Sequence, residues 1–344
     1  MNPAASIVIT TRNRREELAT ALESCFAQDC APLEVLVFDD ASTDGTSDFV
    51  KKRFPEARVF RTEAREGLIV LRNRGFRESR GDIVFSIDDD AYYTDRGTVG
   101  EAVRMFKDND RIGAIALPFI EPRKPMPAGA RNLPAPGSDL RSYRGCAHAV
   151  RREAALKAGG YREFFVHQGE ERDLCIRLRQ EGYRIVYGSG APVVHMVSPT
   201  RDQGRMDFFG VRNTLLFDML NIPHPYFLAR WGLDAIRLFV YKLSVRSLPA
   251  RFGYVLQGFR DCLGYARFRH PVSTDVYRRY RSLPGHGPMA APPVLPHPAS
   301  RAPQPRSVCG RDSACSHCCS GSRASARWLQ PLWRTSGRAT RFTP

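Results

Sequence analysis

The sequence predicts an α/β fold with a mostly parallel sheet and helices on both of its faces. Two observations support this prediction. Short apolar runs of strand length alternate with helical patterns through the first 117 residues, and this order is typical of parallel sheets with crossover helices. Several of the runs are almost wholly apolar, as expected for strands that helices cover on both sides.

The first strand is predicted at Ser6–Ile9. It is followed by a helix, at whose start Asn13 and Glu16 resemble a capping box. Further strands are predicted at residues 34–38, 57–61, 82–87 and 112–117. Helices are predicted at residues 46–54 and 68–79 and around residues 99–106. The Pro-rich stretch from Pro118 to Arg141 is predicted to be a long surface loop.

Beyond that loop the pattern continues. Strands are predicted near residues 146–150, 184–187 and 193–195, and helices near residues 152–158 and from 170 to about 180. Residues 205–281 form a helical, basic region, with an amphipathic face formed by Leu233, Ile236, Arg237, Val240, Tyr241 and Leu243. We therefore divide the chain into a domain at residues 1–204, a helical region at 205–281 and a tail at 282–344.

The composition of the tail differs from the rest. It holds ten of the 25 Pro, eight Arg, no Lys and one acid, which predicts disorder. Its Arg bias and its C-S-H-C-C cluster suggest a second hypothesis, translation of GC-rich DNA in the wrong frame. The cluster is not a standard zinc site, because Cys318 and Cys319 are adjacent.

The whole chain has 344 residues, 42% of them apolar, so it can bury a sizeable core. The net charge of +16 favours phosphate partners, either a nucleotide, a nucleic acid or an anionic membrane. We expect no signal peptide and no membrane-spanning helix. The odd count of nine Cys indicates reduced thiols, so we expect a cytoplasmic protein, or one held at the inner face of the plasma membrane.

Three adjacent acids, Asp88, Asp89 and Asp90, end the predicted strand at residues 82–87. Ligands of open α/β sheets bind outside the carboxyl ends of strands. Neighbouring carboxylates repel one another, and a hard cation such as Mg²⁺ or Mn²⁺ would offset that repulsion. The strand-end position favours a metal that bridges to a diphosphate over a solvated acidic turn.

Other polar residues follow the neighbouring strands. Asp39 and Asp40 end the second strand, and Asp40 is the better ligand candidate, because Asp44-Gly45 is typical of a turn. Thr10 and Arg12 end the first strand, and Arg72 lies in the third helix. Two further candidates come later in the chain. The acids after Gly169 could act as a general base at a helix start. His195 follows an apolar strand, where a structural role explains it better than a ligand role does.

Taken together and in order, these pieces resemble family 2 glycosyltransferases with the nucleotide-diphospho-sugar transferase (GT-A) fold. The resemblance covers roughly residues 5–200 and is carried by SIVITTRNR, LEVLVFDDASTDGT, GLIVLRNRG, GDIVFSIDDDAYY, GCAHAVRREAALKAGGYREFF, GEERDLCIRLRQEGYRI and VVHM. It implies a donor half at about 1–117 and an acceptor half at about 118–204. The later stretch RMDFFGVRNTLLF resembles bacterial members that decorate polysaccharides or glycans of the cell envelope.

The resemblance also implies roles for single residues. Thr10 and Asp40 would contact the nucleotide base, with Arg12 and Arg72 nearby. Asp88 and Asp90 match the outer acids of a D-x-D motif, Asp88 near the ribose and Asp90 on the metal, and Asp89 is an alternative for either role. Glu171 would be the catalytic base, where the family usually has Asp. His195 would help to hold the metal or the diphosphate.

The implied reaction is a single displacement with inversion, in which a hydroxyl of a glycan or lipid-linked acceptor attacks a UDP-, dTDP- or GDP-linked sugar, with Mn²⁺ or Mg²⁺ at the diphosphate. Two alternatives stay open from the sequence. A sugar-phosphate nucleotidyltransferase shares the general fold, but its G-x-G-T-R signature is absent here. A nucleic-acid-binding protein would use the basic tail, yet it leaves the acidic strand ends unexplained, and we expect no specific nucleic acid. The basic stretch 226–270 suggests peripheral contact with a membrane, although an ordinary core-covering helix pair explains it too.

Overall fold

A computed structural model describes residues 3–124, 133–198, 202–241 and 247–285. Its main sheet has seven strands, which in chain order are β1 (Ala5–Thr11), β2 (Leu33–Asp39), β3 (Arg58–Arg61), β4 (Ile83–Asp88), β6 (Ile112–Ala116), β8 (Ala147–Arg151) and β9 (Arg184–Tyr187). Across the sheet they lie in the order β3-β2-β1-β4-β8-β6-β9. All neighbours pair in parallel except β8, which runs antiparallel to both β4 and β6. The predicted mostly parallel sheet is confirmed.

Helices cover both faces of this sheet, as predicted. They are α1 (Arg15–Phe26), α2 (Thr46–Arg53), α3 (Leu68–Glu78), α4 (Thr98–Asp108), α5 (Arg152–Lys157) and α6 (Glu170–Gln180). Alternate residues of β1 point to opposite faces. Ile7 and Ile9 pack in the core that contains α1 and α4, whereas Val8 packs in the core that contains α3 and α6.

Two local predictions need correction. Asn13 does not cap α1, because it adopts a φ of +53° and its Oδ1 accepts a hydrogen bond from the Thr43 N–H at 2.7 Å instead. The side chain is thus used to fix the loop after β2. The stretch from Pro118 is not entirely a loop, because β7 (Phe119–Ile120) joins a second, small sheet with β5 (Ala91–Tyr92) and β10 (Val193–His195).

Four helices follow: α7 (Gln203–Asn221), α8 (Tyr226–Val240), α9 (Leu248–Gly264) and α10 (Thr274–Ser282). Leu215 and Leu216 of α7 and Tyr277 of α10 share one core with α3, α5 and α6. In the described part of the chain, no helix combines the length and the apolarity that crossing a bilayer would require. Leu243, the Cys309–Cys319 cluster and the predicted disorder beyond residue 285 lie outside the described residues.

Candidate active site

The carboxyl ends of β2, β1 and β4 open onto a single cleft of about 1370 Å³, the strand-end cleft. Parallel strands end at the same edge of a sheet, so the polar residues that follow them meet there. All of the site residues predicted from the sequence line this cleft: Thr10, Arg12, Asp40, Arg72, Asp88, Asp89, Asp90, Glu171 and His195.

Within the cleft, ligand atoms of Asp88, Asp90 and His195 lie within 4.8 Å of one another. The Nε2 atom of His195 is 3.2 Å from Asp90 Oδ1 and 3.5 Å from Asp88 Oδ2. Asp88 ends β4, and Asp90 lies in the turn between β4 and β5. His195 ends β10, which pairs with β5. Two carboxylates and one imidazole form a donor set that suits Mn²⁺, and the carboxylates also suit Mg²⁺.

Sequence reasoning missed Glu121, which follows β7. Its Oε1 accepts a hydrogen bond from His195 Nδ1 at 2.9 Å, and its Oε2 lies 2.8 Å from Lys124 Nζ. Burial opposes its charge, but these two partners lower the pKa of Glu121 to about 2. Burial likewise opposes the imidazolium, yet hydrogen bonds with Asp90, Cys146 and Glu121 raise the pKa of His195 to about 12. The carboxylates of Asp88, Asp90 and Glu121 therefore favour a positive charge at the position of His195.

Asp89 lies apart from this ligand group. Its carboxylate accepts hydrogen bonds from Thr11 Oγ1 at 2.9 Å and from Arg14 Nη1 at 3.0 Å. The same Arg14 nitrogen is 3.0 Å from Asp90 Oδ2, so one guanidinium bridges two neighbouring acids. Burial raises the pKa of Asp89 to about 7, although Arg14 opposes the rise. Of the three adjacent acids, the outer pair faces His195 and the middle one faces β1.

Arg72 is buried in the wall of the cleft. Its Nη2 donates to Asp88 Oδ1 and to the Gly145 carbonyl, each at 2.9 Å, and its Nη1 lies 3.5 Å from Glu170 Oε1. Burial opposes the guanidinium charge, but Asp88 and the nearby acids hold the pKa of Arg72 above its ordinary value. Arg72 thus connects the group formed by Asp88, Asp90 and His195 to the acids that begin α6.

The other predicted contacts to a nucleotide lie on the β1 and β2 side. Thr10 is half-buried and Arg12 is exposed. The Asp40 carboxylate accepts hydrogen bonds from the backbone N–H groups of Glu66 at 2.7 Å and Gly67 at 3.2 Å. These bonds fix the loop that leads into α3 along one side of the strand-end cleft.

The two acids at the start of α6 differ in environment. Glu170 is only 2% exposed, and burial together with the charge of Glu171 raises the pKa of Glu170 to about 8. Glu171 is half-buried and lines the cleft. Its Oε1 lies so close to Gly145 that a Cβ there would come within 2.6 Å of it. Burial therefore favours the protonated form of Glu170, and Glu171 is the partly exposed acid of the pair.

A strained loop precedes these acids, and sequence reasoning missed what holds it. Val166 and Gln168 have φ values of +61° and +69°, which are costly for residues with a side chain. Asn213 of α7 donates through Nδ2 to the carbonyls of Phe165, His167 and Gln168 at 2.7 to 2.9 Å. Arg212 donates to Asn213 Oδ1 at 2.8 Å. The helix α7, which follows the last described strand, thus fixes the start of α6.

Comparison with known proteins shows sequence similarity to glycosyltransferases. The profile of the family described as Glycosyl transferase family 2 matches residues 6–157. An uncharacterized glycosyltransferase of Haemophilus influenzae is 31% identical over 294 residues, which cover 81% of this chain and 91% of that protein. A glucosyl-dolichyl phosphate glucuronosyltransferase of Haloferax volcanii is 26% identical over 223 residues, 58% of this chain and 71% of that protein.

Solved structures show the same fold. The mannosyltransferase PcManGT of Pyrobaculum calidifontis, solved with GDP-Man and Mn²⁺, matches with a TM-score of 0.53 at 18% identity over 82% of this chain and 79% of its own. TarS 1–349 of S. aureus, solved with UDP-GlcNAc, gives 0.57 at 17% identity over 80% and 90%. The chain belongs to glycosyltransferase family 2 and has the GT-A fold, so neither the nucleotidyltransferase nor the nucleic-acid-binding alternative is favoured.

Proposed function

We propose that this glycosyltransferase moves a sugar from a nucleotide-diphospho-sugar to an acceptor hydroxyl, with inversion and with Mn²⁺ or Mg²⁺ at the diphosphate. The observation that carries the proposal is the convergence of Asp88, Asp90 and His195 in the same cleft as Glu171. A bound divalent cation would neutralise the charge that develops on the leaving diphosphate. Asp90 and His195 would hold it, with Asp88 between the cation and the ribose.

The donor half of the cleft would bind the nucleotide. Thr10 and Asp40 would face the base, and Arg12 lies exposed at the same edge. Arg72 donates to Asp88, and Asp89 accepts a hydrogen bond from Thr11. Nucleotide sugars are present in the structures of PcManGT and TarS, as GDP-Man and UDP-GlcNAc. These support a nucleotide-sugar donor for this chain, which we propose to be UDP-, dTDP- or GDP-linked.

Glu171 is the proposed base. Its carboxylate would take the proton of the acceptor hydroxyl as the oxygen attacks the anomeric carbon. The exposure of the two neighbouring acids supports this assignment, because Glu170 is only 2% exposed whereas Glu171 is partly exposed and lines the cleft. The opposite face of the sugar is where the diphosphate leaves, so a single displacement inverts the anomeric configuration.

A thermal-shift panel tests donor and metal together. Nucleoside diphosphates and nucleotide sugars would be compared with and without Mn²⁺, and one nucleotide should raise the melting temperature only when the cation is present. Asp90→Ala should lose this shift, whereas Asp110→Ala, a change of an exposed surface acid, should keep it. Failure of every nucleotide sugar to stabilise the protein with Mn²⁺ in excess would refute the proposal.

We propose that the acceptor is a glycan or a lipid-linked molecule, which the enzyme would reach at the inner face of the plasma membrane. The name of the Haloferax volcanii relative includes a dolichyl phosphate. In this chain, Leu233 and Ile236 of α8 are each 65% exposed, and Leu263 of α9 is 79% exposed. The described residues from Tyr226 to Arg269 include six Arg and two Asp. Exposed apolar side chains among excess cations favour an anionic lipid surface.

Liposome flotation tests this contact. The protein should float with vesicles that contain anionic phospholipid and much less with neutral ones. The double variant Leu233→Asn/Ile236→Asn should reduce flotation, while Leu156→Asn, at an exposed leucine of α5, should not. Equal flotation of the double variant and the unchanged protein would refute the contact and leave the donor proposal intact.

A further inference from the structure

A second cavity, of about 350 Å³, lies beside the strand-end cleft. We call it the arginine cavity, because its wall includes Arg141, Arg172, Arg230 and Arg281. Arg172 and Ser142 also line the strand-end cleft, so the two spaces share part of a wall. None of the proposed donor, metal or base residues lines the arginine cavity.

Most of the positive charge in this cavity is not neutralised. In the described residues, Arg141, Arg172 and Arg281 have no carboxylate oxygen within 4.0 Å. Arg141 donates to the backbone carbonyls of Tyr280 and Arg281, at 3.1 and 2.9 Å. Because these carbonyls carry no net charge, they do not neutralise the guanidinium. Arg172 lies 4.0 Å from the ring centroid of Phe217. Arg230 differs, since it pairs with Asp234 at 2.7 Å. The cavity therefore attracts an anion.

The rest of the lining is aromatic with a single buried acid. Tyr277 and Tyr280 of α10 line one side, where they are mostly buried and pack against Tyr226 and Phe217. Asp218 of α7 is 0% exposed, and neither of its carboxylate oxygens accepts a hydrogen bond from a described donor other than Asp234. Asp218 shares a hydrogen bond with the carboxyl of Asp234, which requires a proton on one of the two acids, and a ligand hydroxyl group would supply a further donor.

We propose that the arginine cavity binds a phosphorylated sugar, with the phosphoryl group on the arginines, the ring against the tyrosines and a hydroxyl on Asp218. The volume is too large for inorganic phosphate alone and matches a ligand of monosaccharide size. Arginine is the side chain best suited to bind phosphoryl oxygens in pairs. The ligand is either a free sugar phosphate or the glycosyl phosphate end of a larger acceptor, and both offer the same chemistry.

Isothermal titration of the full chain with glucose 1-phosphate and glucose 6-phosphate tests the proposal. At least one should bind at least tenfold more tightly than inorganic phosphate and than glucose. Arg281→Gln should weaken this binding at least tenfold. The matched control is Arg278→Gln, which removes the same charge from the same helix outside the cavity and should leave the affinity unchanged.

Two further measurements keep the result interpretable. Asp218→Asn, a change without loss of volume, should weaken glucose phosphate binding and leave inorganic phosphate binding unchanged. Competition with the nucleotide and Mn²⁺ identified by thermal shift should not displace the glucose phosphate, since the donor lies in the other cleft. A methyl phosphodiester of glucose 1-phosphate distinguishes the sources: equal affinity indicates a linked acceptor, and a preference for the monoester indicates a free sugar phosphate.

The proposal is overturned if no glucose phosphate binds above inorganic phosphate, if Arg281→Gln and Asp218→Asn both bind normally, or if nucleotide with Mn²⁺ displaces the ligand. It does not depend on the proposed transfer reaction, because binding is measured without turnover. An inactive but nucleotide-binding protein that still holds glucose phosphate in this cavity would support it.

Discussion

The Nδ1 atom of His195 lies 2.9 Å from Glu121 Oε1, while its Nε2 faces Asp88 and Asp90. A carboxylate on the far nitrogen fixes the rotation of the ring and makes the near nitrogen a better ligand. Glu121 follows β7 and His195 ends β10, and these strands pair in parallel in the small sheet. The small sheet therefore carries an imidazole and its supporting acid to the end of β4.

Glu121→Gln tests this relationship. The amide does not supply the negative charge that holds the imidazole, so Mn²⁺ affinity should fall by about 10- to 100-fold. Titration of Mn²⁺ followed by electron paramagnetic resonance measures the change. Glu181→Gln, at an acid that pairs with Lys157 on the surface, is the control. If the Glu121 variant binds Mn²⁺ as tightly as the control does, His195 is not a supported ligand.

Glu171→Gln separates catalysis from binding. The amide keeps the shape of the side chain but accepts no proton, so turnover should fall by about 10²- to 10⁴-fold with little change in donor affinity. Single-turnover kinetics and titration of the donor give the two quantities. Glu170→Gln should have a much smaller effect, because Glu170 is buried and burial favours its protonated form. Equal losses in the two variants would contradict the assignment of the base.

The sequence predicted the part of the site that depends on local pattern. Apolar runs followed by Asp40 and by Asp88–Asp90 located the strand ends, and the sheet brings those ends together because parallel strands share an edge. Contacts made by distant segments left no such pattern. Glu121 follows a two-residue strand in a Pro-rich stretch, and its role arises only when β7 pairs with β10.

The wrong prediction that Asn13 caps α1 has a similar cause. An Asn followed by Glu three residues later matches the capping-box pattern. In the structure, however, the Asn13 side chain accepts a hydrogen bond from the Thr43 N–H in the loop after β2. Asn213 is inconspicuous in the sequence for the same reason. Its three acceptors lie 45 to 48 residues away in the chain, so no local spacing reveals it.

Asn213→Asp tests whether α7 positions the base. The aspartate has the same size but donates no hydrogen bond, so three carbonyls lose their partner and the strained loop relaxes. We expect kcat to fall by about 10- to 100-fold while donor KM stays nearly unchanged, because a base displaced by about 1 Å loses its alignment. Gln203→Glu, an amide-to-acid change at the exposed start of the same helix, is the control. A loss confined to KM would contradict a positioning role.

Asp218→Asn should change how stability depends on pH. Burial raises the pKa of Asp218 from 3.8 to about 7, and the neighbouring Asp234 adds to the rise while Arg172 opposes it. The folded state therefore holds this proton more tightly than the unfolded state, and the unchanged protein loses stability as the pH rises from about 4 through about 7. Asparagine never ionises, so the free energy of unfolding of the variant should equal that of the unchanged protein near pH 4. At pH 8 it should be higher by roughly 4 kcal/mol, at about 1.4 kcal/mol per pKa unit. Urea unfolding at several pH values measures the difference, with Asp110→Asn at a 96% exposed acid as the control. If the difference in unfolding free energy between the variant and the unchanged protein stays constant from pH 4 to pH 8, Asp218 is ionised in the folded protein.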